Sequence, residues 1–541
     1  MPTVTLVCND RRIPPVELGA EPVAFGRHSD NDVALLEDDV ASRFHCVIEP
    51  GAEGTHVLKD LGSRNGTRVN GVPISTTALK PGDVISIGKH TFTVTLEEAP
   101  KPKPARSRDQ TIDDPAAKDA SAWAAELRSI IDALPPKSAG LDAISLIDAS
   151  NNRSDALTSE GQGATSIRLL ILAASKARAT DIHFEPRPDV HGVRMRVDGQ
   201  MVHILDLPRQ VGELALGLVR NACQMQQAAR DATLDGHFGV RFPDRRVDYR
   251  ASFTPTVHGQ KLVLRILDAR TAPQSLADVH LPLYMLERVR KSCQQDAGMI
   301  LACGPTGSGK TTTLYNALRE IDRQRRNVIT IEDPVEYTID HVTQIPVGVN
   351  NTFGDLLRSV LRQDPDVILV GEIRDGETAR TAAQAAMTGH VVFSTVHAKD
   401  SIGAVFRLLD LGIEPYLVAN SMDIIIAQRL LRLLCDFCKR PVKVSPGQAT
   451  RIGRFLEGKS EVYAATGCAK CLRTGFNGRR AVFEMLDFND ELRDCVLNNP
   501  SIATMKKIIE QGVFTTLQQS GWLLAAKGLT TLDEVERSTG G

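Results

Sequence analysis

The eight residues Gly304-Pro-Thr-Gly-Ser-Gly-Lys-Thr311 constrain the fold of this chain more than any other stretch. They satisfy the pattern G-x-x-x-x-G-K-[ST], and their flanks fit it: the apolar run Met299-Ile-Leu-Ala-Cys303 reads as a strand and Thr312 to Ile321 as a helix. A loop of this composition lets backbone N–H groups converge on phosphate oxygens at a helix N-terminus. Lys310 then brings a positive charge towards the β and γ phosphates, and the Thr311 hydroxyl can ligate Mg²⁺. Gly304, Pro305, Thr306, Gly307, Ser308, Gly309, Lys310, Thr311 and Thr312 are therefore the expected ATP-binding residues, with Thr311 also the magnesium ligand. The competing reading, a Gly-rich turn that matches by accident, is weakened by the strand-to-helix context.

A phosphate cradle does not itself hydrolyse phosphate, so acids are expected at neighbouring strand ends. The apolar strand Val367 to Val370 delivers Glu372 to the carboxyl edge of a parallel sheet, where it can hold the Mg²⁺ shell or orient water. A second apolar strand, from Val328, ends in Glu332, Asp333 and Glu336, which are candidates for water activation; solvated loop acids are the bland alternative. Val391-Val-Phe-Ser-Thr-Val-His397 ends in a polar tip from which His397 can sense the γ-phosphate.

A length of 541 residues implies three or four domains. Residues 1–98 alternate like short strands, with turn signals at Asn65-Gly66, Asn70-Gly71 and Pro81-Gly82, and read as a β-sandwich. Residues 99–140 shift to Pro, Lys, Asp and Ala and read as a linker with a short amphipathic helix around Trp123 to Leu134. Residues 141–270 read as one α/β domain, and 271–541 as a parallel sheet wound with helices. Lys plus Arg number 64 against 66 Asp plus Glu, a net charge of -2, and aromatics are 4 %. That balance offers neither a basic track nor many stacking platforms, so no nucleic-acid partner is expected. No secretory signal opens the chain, and no apolar run approaches the roughly 18 to 20 residues that a membrane helix needs. A cytoplasmic protein that reaches a membrane only through partners is expected.

Taken together, Asp181-Ile-His-Phe-Glu-Pro186, Gly304 to Thr311, Ile331-Glu-Asp-Pro-Val-Glu336, Leu369-Val-Gly-Glu-Ile-Arg-Asp375 and Ser394-Thr-Val-His397 resemble the motif set of the ATPases of type II secretion and type IV pilus assembly. The resemblance covers about residues 165 to 541 and implies a RecA-like two-domain ATPase working as a homohexamer at an inner-membrane platform. It assigns Lys310 and Thr311 to the Walker A site, Glu332 to Glu336 to an acidic box, Glu372 to Walker B and His397 to a histidine box. It also implies that arginines of the first α/β domain reach a neighbour's nucleotide, and Arg194, Arg196 and Arg250 lie in the matching segments. Surface ion pairs are the alternative for each.

Cys435-x-x-Cys438 and Cys468-x-x-Cys471, 29 residues apart, can close a tetrahedral Zn²⁺ site within an insertion over 432–485, ahead of a helical part over 486–541. Redox dithiols are the competitor. The resembling secretion ATPases carry four cysteines here and pilus-retraction members lack them, which favours export or assembly.

At the other end, Val23-Ala-Phe-Gly-Arg27, Ser42-Arg-Phe-His45, Leu61-Gly-Ser-Arg-Asn-Gly-Thr67 and Val69-Asn-Gly71 resemble a forkhead-associated (FHA) domain, which reads phosphothreonine with loops at one end of a sandwich. Arg27, Ser42, Arg43 and Arg64 offer donors to a dianion, Asn65 to a peptide backbone, and His45 reads as a brace between loops. In the linker, Thr111 stands in an acidic stretch as a candidate tethered ligand for such a module. The expected activity is ATP hydrolysis driving secretion or pilus assembly. Two alternatives are a phosphopeptide scaffold whose ATPase half only binds nucleotide, and a nucleic-acid motor.

Overall fold

The computed structural model describes the chain except residues 1–2, 10–12, 14–15, 19–21, 29–30, 36–37, 52–54, 98–114, 136–143, 155, 226–231, 269–271, 349, 457 and 541. Thr111 thus lies outside the described residues. Two compact units emerge, residues 1–112 and 113–541.

The first unit is a sandwich of a six-stranded and a five-stranded sheet. One apolar cluster draws on both: Leu6, Ile85 and Phe92 from the first sheet meet Phe25, Ile48 and Leu58 from the second, with Phe25 and Phe92 edge to face at 5.4 Å. Alternation produces this, since Cys46 and Ile48 turn inward while Val47 and Glu49 turn out. The hairpin between Thr67–Val69 and Val72–Ile74 turns at Asn70-Gly71, both at positive φ (50° and 81°), which suits the right-handed strand twist.

The second unit holds two lobes. The N-terminal lobe is built on an antiparallel sheet whose long strands are Leu234–Arg241, Arg246–Thr256, Gly259–Leu267, Ala179–Pro186, Val190–Val197 and, at the edge, Gln200–Pro208, in that order. Ile182 and Phe184 enter its core, while Asp181, His183 and Glu185 occupy the other strand face. Part of the stretch read as linker is packed here. Helix α1 (Pro115–Ala133) buries Trp123 and Leu127 in the same core as helices α2 (Gln162–Ala177) and α3 (Arg209–Ala222), and Lys176 Nζ donates to Ile131 O at 3.1 Å.

The C-terminal lobe has a seven-stranded sheet ordered Thr343–Pro346, Val328–Glu332, Val367–Val370, Val391–Val396, Gly298–Cys303, Met422–Leu434, Phe476–Asp487. All neighbours are parallel except the last pair. Its inner strands are buried on both faces, which explains the apolar runs Met299–Cys303, Val367–Val370 and Val391–Phe393 within them.

Candidate functional site

The strand Gly298–Cys303 runs into the loop 304–309 and then the helix Lys310–Arg319. The loop's glycines are forced choices. A Cβ at Gly304 (φ 151°) would lie 2.6 Å from Gln428 O, and one at Gly309 (φ 88°) 2.8 Å from Gln428 Nε2. Lys310 is 9 % exposed and donates to Gly304 O (2.9 Å) and Pro305 O (3.1 Å); burial pushes its ammonium down from the usual lysine range. Among the described residues, Ser308 Oγ is buried without a hydrogen-bond partner, and the Thr311 side chain lies open to solvent. A curled loop with a buried cation, an orphaned hydroxyl and an open threonine fits the phosphate chain of a nucleotide with its Mg²⁺.

Two adjacent parallel strands bring the next groups. Glu372 stands two residues beyond Val367–Val370, and His397 directly follows Val391–Val396. Ser394 Oγ donates to Val370 O (2.7 Å) and Thr395 Oγ1 to Gly371 O (2.8 Å), so the two strand tips are tied side by side. One Glu372 oxygen accepts from Arg374 and the other lies 3.6 Å from His397 Nε2. The Arg374 hydrogen bond, with His397 and Lys310 in electrostatic reach, holds the Glu372 carboxyl below the usual carboxylate range. Arg374 also faces Asp333 Oδ2 at 3.6 Å, bridging to the acidic loop.

Within that loop the acids differ. Glu332 is 3 % exposed and turns inward, accepting from Tyr315 Oη, from Thr330 Oγ1 (2.6 Å) and from Gln344 Nε2 (3.1 Å). Asp333 and Glu336 are exposed. The structure therefore brings Lys310, Glu372 and His397 together, with Asp333 beside them, and leaves Glu332 apart in the interior.

The arginines of the N-terminal lobe also divide. Arg194 is paired with Glu185 (2.5 Å), and Arg196 lies 3.4 Å from Asp181. Arg250 Nη2 crosses to the C-terminal lobe and donates to Val335 O at 2.9 Å, in the acidic loop of its own chain. Directly opposite Arg250 stands Arg265, 65 % exposed and 3.2 Å from Asp181, a residue the sequence reading passed over. Its strand alternation was the available signal. Gln428 and Arg429 were also missed. Gln428 accepts from Thr313 Oγ1 (2.7 Å), and Arg429 donates to Gln428 O (2.9 Å) and to Lys399 O, clasping the loop to the segment after His397. No local motif marks them, because the contact depends on the neighbouring strand.

The four Sγ atoms of Cys435, Cys438, Cys468 and Cys471 lie within 4.8 Å of one another, with three pairs at 4.0, 3.9 and 3.7 Å. Tetrahedral Zn–S bonds of about 2.3 Å put sulfurs about 3.8 Å apart, so this donor set fits zinc. In the sandwich, Ser42 Oγ accepts from Arg64 N (3.0 Å), Asn65 Nδ2 donates to Val40 O (2.7 Å), and Arg27, Arg43 and Arg64 are exposed. His45 is fully buried; its Nδ1 accepts from Ser42 N (3.0 Å) and its Nε2 lies 3.4 Å from Gly66 O, a brace between two loops. Asn31, unremarked in the sequence, ties the same loops by donating to His28 O and Arg43 O, each at 2.8 Å.

Residues 158–537 match the model of the family described as "Type II/IV secretion system protein", well over half of the chain. The chain belongs to the type II/IV secretion system protein family. Residues 23–88 match the FHA domain model, so the secretion ATPase carries an FHA sandwich ahead of its ATPase segment. The "Type II secretion system ATPase E" of Vibrio cholerae is 38 % identical over 375 residues, 69 % of this chain and 74 % of that protein. The "Type IV pilus assembly ATPase PilB" of Myxococcus xanthus is 37 % identical over 386 residues, 69 % and 67 % of the two chains. The ATPase DotB of Legionella pneumophila shares the fold, with TM-score 0.53 and 21 % identity over 69 % of this secretion ATPase and 94 % of that chain. Among the described residues, no helix is long and apolar enough to cross a membrane.

Proposed function

We propose that this secretion ATPase is a homohexameric, ATP-driven motor for type II secretion or type IV pilus assembly. It works at the cytoplasmic face of the inner membrane on platform proteins, and recognition of phosphothreonine by its FHA sandwich recruits or regulates it. The observation that carries the reading is the convergence of Lys310, Glu372 and His397 at the carboxyl ends of three adjacent parallel strands. Gly304 to Thr312 bind ATP, and Lys310 meets the β and γ phosphates. Thr311 would hold Mg²⁺, whose chemistry is to neutralise charge developing on the phosphates. Glu372, kept ionised by Arg374, orients the attacking water, and His397 steadies that carboxylate from its other side. Glu336 would act from the solvent-exposed part of the acidic loop, whereas Glu332 acts from the interior by fixing the base of that loop. Arg250, with Arg194 and Arg196 on the same lobe, supplies positive charge to nucleotide in the assembled ring.

The four cysteines would hold Zn²⁺ as a structural centre; their near-equal separations within and across pairs support four ligands over two redox dithiols. Arg27, Ser42, Arg43 and Arg64 would receive the phosphate and Asn65 the peptide backbone, with phosphorylated Thr111 one ligand within tether reach.

Phosphate release by the purified full chain tests the motor. Lys310→Ala and Glu372→Gln should each lower kcat by about 100-fold or more, and Glu372→Gln should still bind nucleotide. A wild type without turnover, or one indifferent to Glu372→Gln, overturns it. The native mass with ATP should be six times the 58.8 kDa chain.

A further inference from the structure

The turn that carries two of the cysteines reaches into the other lobe. Cys468 precedes the short helical turn Ala469–Cys471, and the next two residues, Leu472 and Arg473, both sit at left-handed φ (49° and 61°). Two consecutive L-residues hold that conformation only when their surroundings impose it. Here Cys468 N and Gly475 N donate to Cys471 Sγ (3.2 and 3.3 Å), and Arg473 N donates to Cys468 O (2.8 Å). The turn therefore takes its shape from the cysteine cluster.

Its consequence is felt across the lobe boundary. Leu472 packs against the apolar core of the N-terminal lobe, the cluster that contains Trp123 and Leu127 of α1. Helix α1 lies against the same turn. On either side, Gly478 N donates to Asp198 Oδ2 (2.8 Å) and Arg432 Nη1 to Gln200 Oε1 (2.6 Å), so the hairpin corner of the N-terminal lobe is gripped there too. Helix α1 belongs to neither matched segment, lying between residues 23–88 and 158–537, and it is the packed part of the connection between them.

We propose that metal binding by Cys435, Cys438, Cys468 and Cys471 clamps the two lobes together and seats α1, linking the FHA-bearing end of the chain to the motor. This rests on the reading of the cysteines as a metal site. Four thiolates so close repel one another, and a cation between them offsets that repulsion and couples its binding to the local fold. Once it is withdrawn, the turn relaxes from its left-handed backbone, Leu472 leaves the N-terminal core, and α1 loses the surface it leans on.

Tryptophan reports this directly. The chain has two, Trp123 and Trp522. Trp123 is 4 % exposed with its indole N–H unpartnered among the described residues, so its emission follows its burial; Trp522 packs on Phe455, and Trp522→Phe removes it conservatively. Metal content of the full chain is measured first, then zinc is withdrawn with a chelator while release is followed with an indicator dye. The expected result is one metal per chain and a red shift of Trp123 emission in step with release. Leu472→Ala should show the same shift with its metal retained. A chain that binds no metal overturns the metal reading and the clamp together. Metal release, or Leu472→Ala, without a change in Trp123 emission overturns the clamp alone. If chelation unfolds the whole chain, the metal-loaded Leu472→Ala protein decides. If Trp522→Phe does not fold, amide exchange of residues 122–133 in the natural chain decides, with faster exchange expected after metal release and unchanged exchange overturning the clamp.

Discussion

Glu332 and Glu372 both close apolar strands, and what separates them is the company each carboxylate keeps. Glu332 satisfies three donors in the interior. Truncating it strands the hydroxyls of Tyr315 and Thr330, while the Gln344 amide keeps Tyr337 O at 3.2 Å, and a buried donor without an acceptor costs about 1–3 kcal/mol. We expect Glu332→Ala to lower the stability of the C-terminal lobe by about 2–4 kcal/mol in thermal unfolding. Glu372→Gln, at the open end of the site, should change it by about 1 kcal/mol or less. Equal melting temperatures for the two variants would sink the distinction. The sequence could not make it, because both segments show the same apolar run ending in an acid, and Tyr315 and Gln344 come from other elements. Gln428 was hidden for the same reason, whereas Arg265 was marked only by its strand alternation. The loop 304–311 and the four cysteines were legible because their chemistry confines its groups to a fixed short spacing.

At the scale of one element, the strand Met422–Leu434 touches most of what matters in the C-terminal lobe. Gln428 and Arg429 brace the phosphate loop, Arg432 meets Glu534 across 102 positions of sequence, and Cys435 follows its end. The strand's pairing with Glu534 was not legible in the sequence, since residues 486–541 carried only a helical pattern. Glu534 is fully buried as a side chain and accepts from Arg432 and Arg537. Burial works against its ionisation, but the hydrogen bonds from Arg537 and Arg432 outweigh it and bring the carboxyl down to about 2. Because this folded value lies below the ordinary one of about 4.5, the stabilisation is complete above that pH and is lost as pH falls towards 2. Its full size is on the order of 3 kcal/mol. Glu534→Gln should melt lower than wild type at pH 7, and the gap should narrow steadily between about pH 5 and pH 3. A gap independent of pH in circular-dichroism melts would show that the pair contributes by packing alone.

At the scale of the whole chain, the proposed phosphothreonine recognition by the first unit is testable without knowledge of the cargo. Arg27 N bonds Ser42 O at 3.0 Å, which fixes the exposed Arg27 beside Ser42. Ser42 Oγ already accepts from Arg64 N, so its own proton is left to donate. A hydroxyl donor flanked by arginines suits a phosphate dianion, and hydrogen bonds to charged groups contribute about 1.5–3 kcal/mol each. At about 1.4 kcal/mol per decade, Arg27→Ala should weaken binding of a phosphothreonine peptide spanning residues 108–114 by roughly 10-fold or more, as should Ser42→Ala. Binding should fall with added salt, because the contacts are exposed. Should Thr111 be the natural ligand, its tether supplies an effective concentration of about a millimolar. The full chain phosphorylated at Thr111 would then bind the added peptide more weakly than the unmodified chain does. Equal affinity of the unmodified chain for peptides with and without phosphate would end the phosphothreonine reading, and equal affinity of the two chain forms for the phosphopeptide would leave the module reading a partner in place of its own linker.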